Sequence, residues 1–509
     1  MPELNLNKNA KLYFMGIGGT GMASAAGLMK ELGYQVTGSD QQLYPPMSDM
    51  LERLDINVQC PYPSGKLVAE QPAAVIVANC LSESHPFVRE LLESKLPYTS
   101  FPGLLEQTVL QGSGNIVVAG THGKTTTSSL LSWSLESLSL QPGYFIGGLP
   151  GNFSNSFRAR KGHYFVIEGD EYDSAFFDKK SKFLHYNPEY LLLNHIEFDH
   201  ADIFEDDSAV EAAFEQLVLK VPESGKIIAN LSDPGVRKLL FRLDLPKKQI
   251  VGVYPLMKEN PDVDEHSLTT KLISFSYDQK KQLWQGRILH QKIGLIDFSS
   301  QIGGPHNMIN ICQTIGTLGE LAAQGSIPYE GLNLRIADAL KTFKGVRRRL
   351  DFLGSFGGIE IYEDFAHHPT AVRQVIRSMR QARPESRLVL AFDPANASSR
   401  RNIFMPYYSE VFQAADRVFL GPPKEDLRIP VESRMDIGKL AQMSGAHVTP
   451  CCHHDTLAEM LINQLKPGDV VLLLSSGSFA GLAKTLTKEL SGRQKKCHDL
   501  PNNAVEHHF

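Results

Sequence analysis

One stretch restricts the folds open to this chain more than any other: Asn115-Ile-Val-Val-Ala-Gly-Thr-His-Gly-Lys-Thr-Thr-Thr127. The apolar run Ile116 to Ala119 reads as a short buried strand, Gly120-Thr-His-Gly123 as a turn, and Thr125 to about Leu138 as a helix. Strand, glycine turn, Lys-Thr and helix together make a cradle for a nucleoside triphosphate. Glycines let backbone N–H groups close around phosphates, and the helix N-terminus adds partial positive charge. In such a loop Lys124 reaches the β- and γ-phosphates, and the Thr125 hydroxyl is placed to ligate Mg²⁺. The common form G-x-x-x-x-G-K-[ST] wants a glycine at position 118, where this chain has Val118. The first glycine is Gly120, so the loop is a shortened variant, G-T-H-G-K-T, and ATP is the expected ligand.

A chain of 509 residues exceeds one core, and about 150 residues per domain suggests three domains. With 51 basic and 56 acidic residues, a net charge of −5 gives no electrostatic case for nucleic acid or an anionic membrane. No apolar run nears the roughly 20 residues that span a bilayer. The six cysteines are irregularly spaced, which argues against a disulfide framework and for a reducing compartment. Met1 to Lys8 lack a basic-then-apolar signal pattern, so a cytoplasmic location is expected.

The first domain, residues 1–112, opens with the strand Lys11–Met15, the loop Gly16-Ile-Gly-Gly-Thr-Gly-Met22, a helix to Leu32 and a strand that ends at Asp40. Gly16, Gly18 and Gly21 fit G-x-G-x-x-G, with an acid further on. The pattern suits a diphosphate on the helix N-terminus and Asp40 near a ribose or sugar. A Rossmann-like fold that binds nothing shows it too. Ala73–Ala78 reads as a buried parallel strand, and Gln111-Gly-Ser-Gly114 as a linker.

The second domain, residues 113–343, continues past the phosphate loop with the glycine-rich Gly147-Gly-Leu-Pro-Gly-Asn-Phe153. The strand His163–Ile167 runs into Glu168-Gly-Asp-Glu-Tyr-Asp173, four carboxylates at the end where open α/β sheets bind ligands. The strand Tyr190–Leu193 leads to Asn194-His-Ile-Glu-Phe-Asp-His200. Glu168 and His200 with Thr125 make a candidate Mg²⁺ set; Asp202 and Glu205 read as solvated loop positions. His306-Asn-Met-Ile-Asn310 starts a helix whose amides are placed to read an adenine edge. Val251–Asp297 is strand-like in part and offers no chemistry.

The third domain, residues 344–492, begins near Gly345-Val-Arg-Arg-Arg-Leu-Asp351. Its arginine run is either a solvated charge run or a clamp on transferring phosphoryl oxygens. Strands at Ile359–Tyr362, Arg387–Phe392, Arg417–Leu420 and Asp469–Leu474 alternate with helices, which indicates a second Rossmann-like sheet. Cys451-Cys-His-His-Asp455 is too compact to wrap a tetrahedral zinc ion. Residues 493–509 read as a mobile tail.

Taken in order, Gly16–Met22, Gly120–Thr126, Glu168–Glu171, Asp199-His200, His306-Asn307 with Asn310, Arg348-Arg349 and Asp364-Phe-Ala-His-His-Pro369 resemble the Mur ligases, over roughly residues 11–485. These are ATP-dependent amide ligases of peptidoglycan assembly. The resemblance implies an α/β fold of three domains: a Rossmann-like N-terminal domain for a UDP-sugar, a central P-loop ATPase domain, and a Rossmann-like C-terminal domain that closes over ATP and the amine. It implies ATP and Mg²⁺, with UDP-N-acetylmuramate as acyl donor. As acceptor it implies a muropeptide, a tripeptide or its tetra- or pentapeptide extension, favoured over L-alanine by Tyr44-Pro-Pro-Met-Ser48, Pro150-Gly-Asn-Phe153 and Glu171–Phe183.

By the same resemblance, Lys124, Glu168, His200 and Arg349 are catalytic, and Thr125, Glu168 and His200 hold the metal. Nucleotide binding falls to Gly120, Thr121, His122, Gly123, Lys124, Thr125, Thr126, His306, Asn307, Asn310, Arg348, Arg349 and Asp364. Substrate binding falls to Gly16, Gly18, Gly19, Thr20, Gly21, Met22, Ser39, Asp40, Asn79, Asn152, His367 and His368. Either of the last two histidines is a candidate base for the amine, and either is equally a hydrogen-bonded turn residue. Two departures stand out. The position of a carbamoylated lysine in some Mur ligases reads Glu211-Ala-Ala-Phe-Glu-Gln216, so no such modification is expected. The loop after Pro394 has Ala395-Asn-Ala-Ser-Ser-Arg400 where an arginine often follows sooner, which leaves the peptide-binding residues open. A nicotinamide-dependent dehydrogenase would use the first domain but leaves the Lys124 loop unexplained. A non-catalytic nucleotide-binding regulator is the third reading.

Overall fold

A computed structural model of the chain describes residues 4, 6–63, 65, 67–197, 206–243, 245–246, 249–255, 268–424 and 429–498. These fall into two compact units, one of residues up to Val346 apart from a short stretch at 303–305, the other from Arg347 onward.

The first unit holds two open sheets. Strands β1 (Lys11–Met15), β2 (Gln35–Ser39), β3 (Asn57–Gln59), β4 (Ala74–Val77) and β5 (Tyr98–Thr99) pair in the order β3-β2-β1-β4-β5, all parallel. Ala74–Val77 is buried along its whole length, as a strand covered by helices on both faces must be. The expected linker shrinks to three irregular residues, because Gly114 already opens the next strand.

The second sheet has ten strands. They are β6 (Gly114–Ala119), β7 (Gly143–Phe145), β8 (Phe157–Arg158), β9 (Tyr164–Gly169), β12 (Tyr190–Leu193), β13 (Lys226–Asn230), β14 (Ile250–Pro255), β15 (Leu268–Asp278), β16 (Leu283–His290) and β17 (Gly294–Ser300), while β10 (Asp173–Ala175) and β11 (Asp178–Ser181) form a separate hairpin. The order is β17-β16-β15-β14-β13-β12-β6-β9-β7-β8, antiparallel at its two edges and parallel between β7 and β15. Alternate residues of β6 split between two cores: Ile116 and Val118 pack with Leu130, Leu131 and Ile311, whereas Val117 and Ala119 join a cluster that extends into the first sheet. That shared core explains why both sheets belong to one unit. At the seam, Phe101 meets Phe145 at 5.8 Å and Tyr98 meets Phe177 at 4.9 Å between ring centroids. Gly27 is required there, since a Cβ would lie 2.2 Å from Phe157.

The second unit contains β18 (Asp351–Phe356), β19 (Ile359–Asp364), β20 (Leu388–Asp393), β21 (Arg417–Leu420), β22 (Val448–Pro450) and β23 (Val470–Ser475), ordered β18-β19-β23-β20-β21-β22 and parallel except for β18. Its last helix runs Leu482–His498, past the expected end at 492, in keeping with the helix-forming Arg493-Gln-Lys-Lys496. The remaining tail, 499–509, lies outside the described residues. Among the described residues, no helix is long and apolar enough to cross a membrane.

Candidate nucleotide and metal site

Three adjacent parallel strands, β12, β6 and β9, end side by side at the point where the chain order reverses, the crevice position of an open α/β sheet. Val118 is in register with Glu168 and with Leu192, so the loops that follow leave the sheet together. Gly120 is needed twice over. Its φ is +139°, and a Cβ would sit 2.9 Å from both the backbone N and O of His195. Thr121 N–H donates to that same His195 carbonyl at 2.8 Å, which stitches the phosphate loop to the end of β12. Helix Lys124–Ser137 then starts one residue before the expected Thr125, with Gly123 as its left-handed cap.

Lys124 is buried, with Nζ 2.9 Å from Glu171 Oε2 and 3.8 Å from Asp170 Oδ1. Burial works against its charge, but Glu171, Asp170 and Glu168 outweigh it and hold the ammonium above its ordinary pKa. Thr125 Oγ1 donates to Glu168 Oε1 at 2.8 Å, and Gly147 N–H donates to Glu168 Oε2 at 2.6 Å. Burial, followed by the neighbouring Asp170, pushes the Glu168 pKa up despite Lys124 and these donors. The Thr125 hydroxyl and Glu168 carboxylate are hard oxygen donors already in contact, beside two further carboxylates, which suits a divalent hard cation. His200, the third expected ligand, lies outside the described residues.

Around this centre, Thr121 exchanges hydrogen bonds with the backbone of Glu197, whose side chain pairs with His122. Thr126 is buried in the first helical turn. Asn194 Nδ2 donates to Thr127 Oγ1 at 3.0 Å and reaches Asn310 Oδ1 at 3.5 Å, while Asn310 Nδ2 donates to Asn307 Oδ1 at 3.0 Å. Asn307 and Asn310, with His306 in the same helix Pro305–Ala323, therefore stand behind the phosphate loop, Asn310 next to Gly123. The bracing roles of Gly147 and Asn194 escaped the sequence reading. Their only signal was position, one in a glycine loop and one directly after a buried strand.

The other expected residues fall elsewhere. Gly16, with φ +81°, opens the first loop at the end of β1, and Ser39 and Asp40 close β2 beside it. Gly18 N–H donates to Asp40 Oδ2 at 2.7 Å. Gly19 and Thr20 are exposed at the start of helix Thr20–Glu31, Gly21 faces the Phe101 ring, Met22 is buried, and Asn79 is exposed just past β4. Asn152 spends its amide on the backbone, donating to Thr342 O and accepting from Lys344 N.

In the second unit, Arg348 has φ 61° and donates to Glu363 at 2.9 Å and to the carbonyls of Ser475 and Gly477. Arg349 lies over the Phe365 ring. Burial raises the Asp364 pKa, opposed by Arg349, the N–H groups of Ala366 and Leu350, and Arg348. His367 Nδ1 is 2.9 Å from Phe365 O, and His368 caps helix Pro369–Ala382.

A phosphate loop lined by carboxylates at the switch point of an open sheet defines a P-loop nucleotide-dependent enzyme. Residues 11–112 match the Mur ligase family catalytic domain, 118–318 the Mur ligase middle domain, and 348–477 the Mur ligase glutamate ligase domain. The chain belongs to the Mur ligase family and is an ATP-dependent ligase that forms amide bonds, with the family's three-domain α/β architecture. It is 36% identical, over 96% of its length and 99% of the relative's, to the UDP-N-acetylmuramate–L-alanyl-γ-D-glutamyl-meso-2,6-diaminoheptandioate ligase of Escherichia coli. The UDP-N-acetylmuramate–L-alanine ligase of Pelotomaculum thermopropionicum is 29% identical over 96% of the chain and 100% of that relative. Among solved structures, a murein peptide ligase from Psychrobacter arcticus superimposes with a TM-score of 0.68 at 28% identity, covering 95% of this chain and 99% of that one.

Proposed function

We propose that this enzyme joins the lactyl carboxylate of UDP-N-acetylmuramate to the free amine of L-alanyl-γ-D-glutamyl-meso-diaminopimelate, in the cytoplasm, as a step of peptidoglycan recycling. The observation that carries this choice of acceptor is the 36% identity, end to end, with the Escherichia coli ligase of that specificity.

A carboxylate is inert toward an amine until its oxygen becomes part of a good leaving group. The carboxylate oxygen attacks the γ-phosphorus of ATP, the bond between that phosphorus and the β–γ bridging oxygen breaks, and its electron pair leaves with ADP. The amine then attacks the acyl carbon of the resulting acyl phosphate. A C–N bond forms, phosphate departs with the C–O electron pair, and the amine gives up its proton.

Lys124 neutralises charge on the transferring phosphoryl group in this reading. The N–H groups of the phosphate loop bind the triphosphate, and Asn194, bonded to Thr127 and reaching Asn310, braces the first turn of the helix that follows the loop. Thr125 and Glu168 would hold Mg²⁺, which supplies a positive charge to the phosphate oxygens. The exposed amides at Gly19 and Thr20 suit the donor's diphosphate, with Asp40 and Asn79 beside the sugar. On the other unit, Arg349, Asp364, His367 and His368 are the candidate groups for nucleotide and acceptor.

The test supplies ATP, Mg²⁺ and UDP-N-acetylmuramate, then compares phosphate release with L-alanine, tripeptide and tetrapeptide. Release stimulated by tripeptide, and far less by L-alanine, is expected. A preference for L-alanine would assign the enzyme to the alternative acceptor.

A further inference from the structure

The acidic loop beside Lys124 has a second lysine against it. Chain 173–181 folds as the β10–β11 hairpin and returns to the loop it left, where Lys182 N–H donates to Tyr172 O at 2.8 Å and Phe183 N–H to Asp170 O at 3.2 Å. Phe183 is fully buried against Gly169 and fixes the return. The Lys182 side chain, 11% exposed, is thereby held with Nζ 3.5 Å from Asp170 Oδ2. It also lies 5.1 Å from the Tyr172 ring centroid and 5.3 Å from that of Phe101. Asp170 offers its other oxygen to Lys124, so two ammonium groups flank one carboxylate.

This placement is costly for a structural ion pair. A separation of 3.5 Å is at the outer limit of hydrogen bonding, and the two aromatic faces accept no full hydrogen bond. Among the described residues Asp170 is the only carboxylate that Lys182 pairs with, so this largely covered side chain keeps donor capacity for another anion. Its location names that anion. Phe101 packs over Gly21 of the first glycine loop, and Asp170 borders Lys124 of the phosphate loop. Lys182 thus stands between the loop assigned to the donor's diphosphate and the lysine assigned to the γ-phosphoryl group, where the donor's own carboxylate has to lie for in-line attack.

We infer that Lys182 binds the carboxylate of the acyl donor and orients it toward the phosphoryl group, then stays beside the acyl phosphate while the amine attacks. This deepens the proposed function and rests on it. Lys124 serves the phosphoryl side and Lys182 the acyl side, with Asp170 as the shared counter-charge that keeps both ammonium groups in place.

The experiment measures binding of two sugar nucleotides by calorimetry, UDP-N-acetylmuramate and UDP-N-acetylglucosamine, which lacks the lactyl carboxylate. It uses full-length wild type, Lys182→Met, Lys182→Arg and the double variant Lys182→Met/Asp170→Asn. Lys182→Met should weaken UDP-N-acetylmuramate about tenfold or more and leave UDP-N-acetylglucosamine within about twofold, with partial recovery in Lys182→Arg. The double variant restores the charge balance without restoring the donor contact, so it should stay weak. Equal weakening of both ligands, full recovery in the double variant, or no change in Lys182→Met would each overturn the assignment. A wild-type protein that forms no amide from UDP-N-acetylmuramate would instead reject the proposed function, so the two failures are separable.

Discussion

Lys124 Nζ lies 2.9 Å from Glu171 Oε2, so the lysine assigned to the γ-phosphoryl group is already engaged by a carboxylate three residues beyond the candidate metal ligand Glu168. Binding ATP then exchanges one anionic partner for another. Glu171→Gln should therefore bind a non-hydrolysable ATP analogue several-fold tighter, up to about tenfold, as read by calorimetry. Lys124→Ala should lose about 10³-fold or more in kcat while UDP-sugar binding stays intact. Retained turnover in that variant would remove the lysine from the mechanism.

Glu168 makes a pH-dependent prediction. Burial and Asp170 raise its pKa in the folded chain, so the folded state holds this proton more tightly than the unfolded state. The associated stability is present below the unfolded carboxyl pKa and is lost as pH rises through the raised folded value. Without nucleotide, Glu168→Gln should therefore raise the melting temperature at neutral pH. It should also abolish the further rise that ATP with Mg²⁺ gives the wild type. Because the metal competes with a proton at this carboxylate, the stabilisation by Mg²⁺ should weaken as pH is lowered.

His185 supplies a test of the seam between the first two sheets. Its ring bridges Glu106, on the helix Phe101–Thr108, and Asp178 on β11, at 2.8 Å each. His185→Ala strands both carboxylates and should cost about 2–3 kcal/mol in chemical denaturation, less than a fully buried pair because Glu106 is partly exposed. Burial opposes the Glu106 charge, but His185, Asn187 and Lys220 outweigh it and lower its pKa. That stability is present above the unfolded carboxyl pKa, about 4.3, and lost as pH falls through the lower folded value. The variant should accordingly show a shallower acid-side loss than wild type.

The phosphate loop was legible because its chemistry is local: glycine, lysine and threonine positions depend on a few consecutive backbone angles. Buried strands such as Tyr190–Leu193 and Arg417–Leu420 were equally plain, being short apolar runs between turns. The β15–β17 extension was legible only as strand-like in part, since many of its residues are half-exposed and no motif marks its bounds or its pairing. Arg348 shows a second limit. A run of arginines reveals charge, but the left-handed backbone that ties Arg348 to Glu363 and the carbonyls of Ser475 and Gly477 is a tertiary fact. Lys182 shows a third, because its meaning depends on Phe101, which begins the helix Phe101–Thr108 some eighty residues earlier in the chain.

Transient phosphorylation of the donor's carboxylate is the central chemical step, and oxygen transfer reports it directly. UDP-N-acetylmuramate labelled with ¹⁸O in the lactyl carboxylate is incubated with ATP, Mg²⁺ and tripeptide, and the released phosphate is analysed by mass spectrometry. One labelled oxygen in each phosphate, in step with new amide, is the predicted result. Unlabelled phosphate, or ADP formed without amide, would contradict the account.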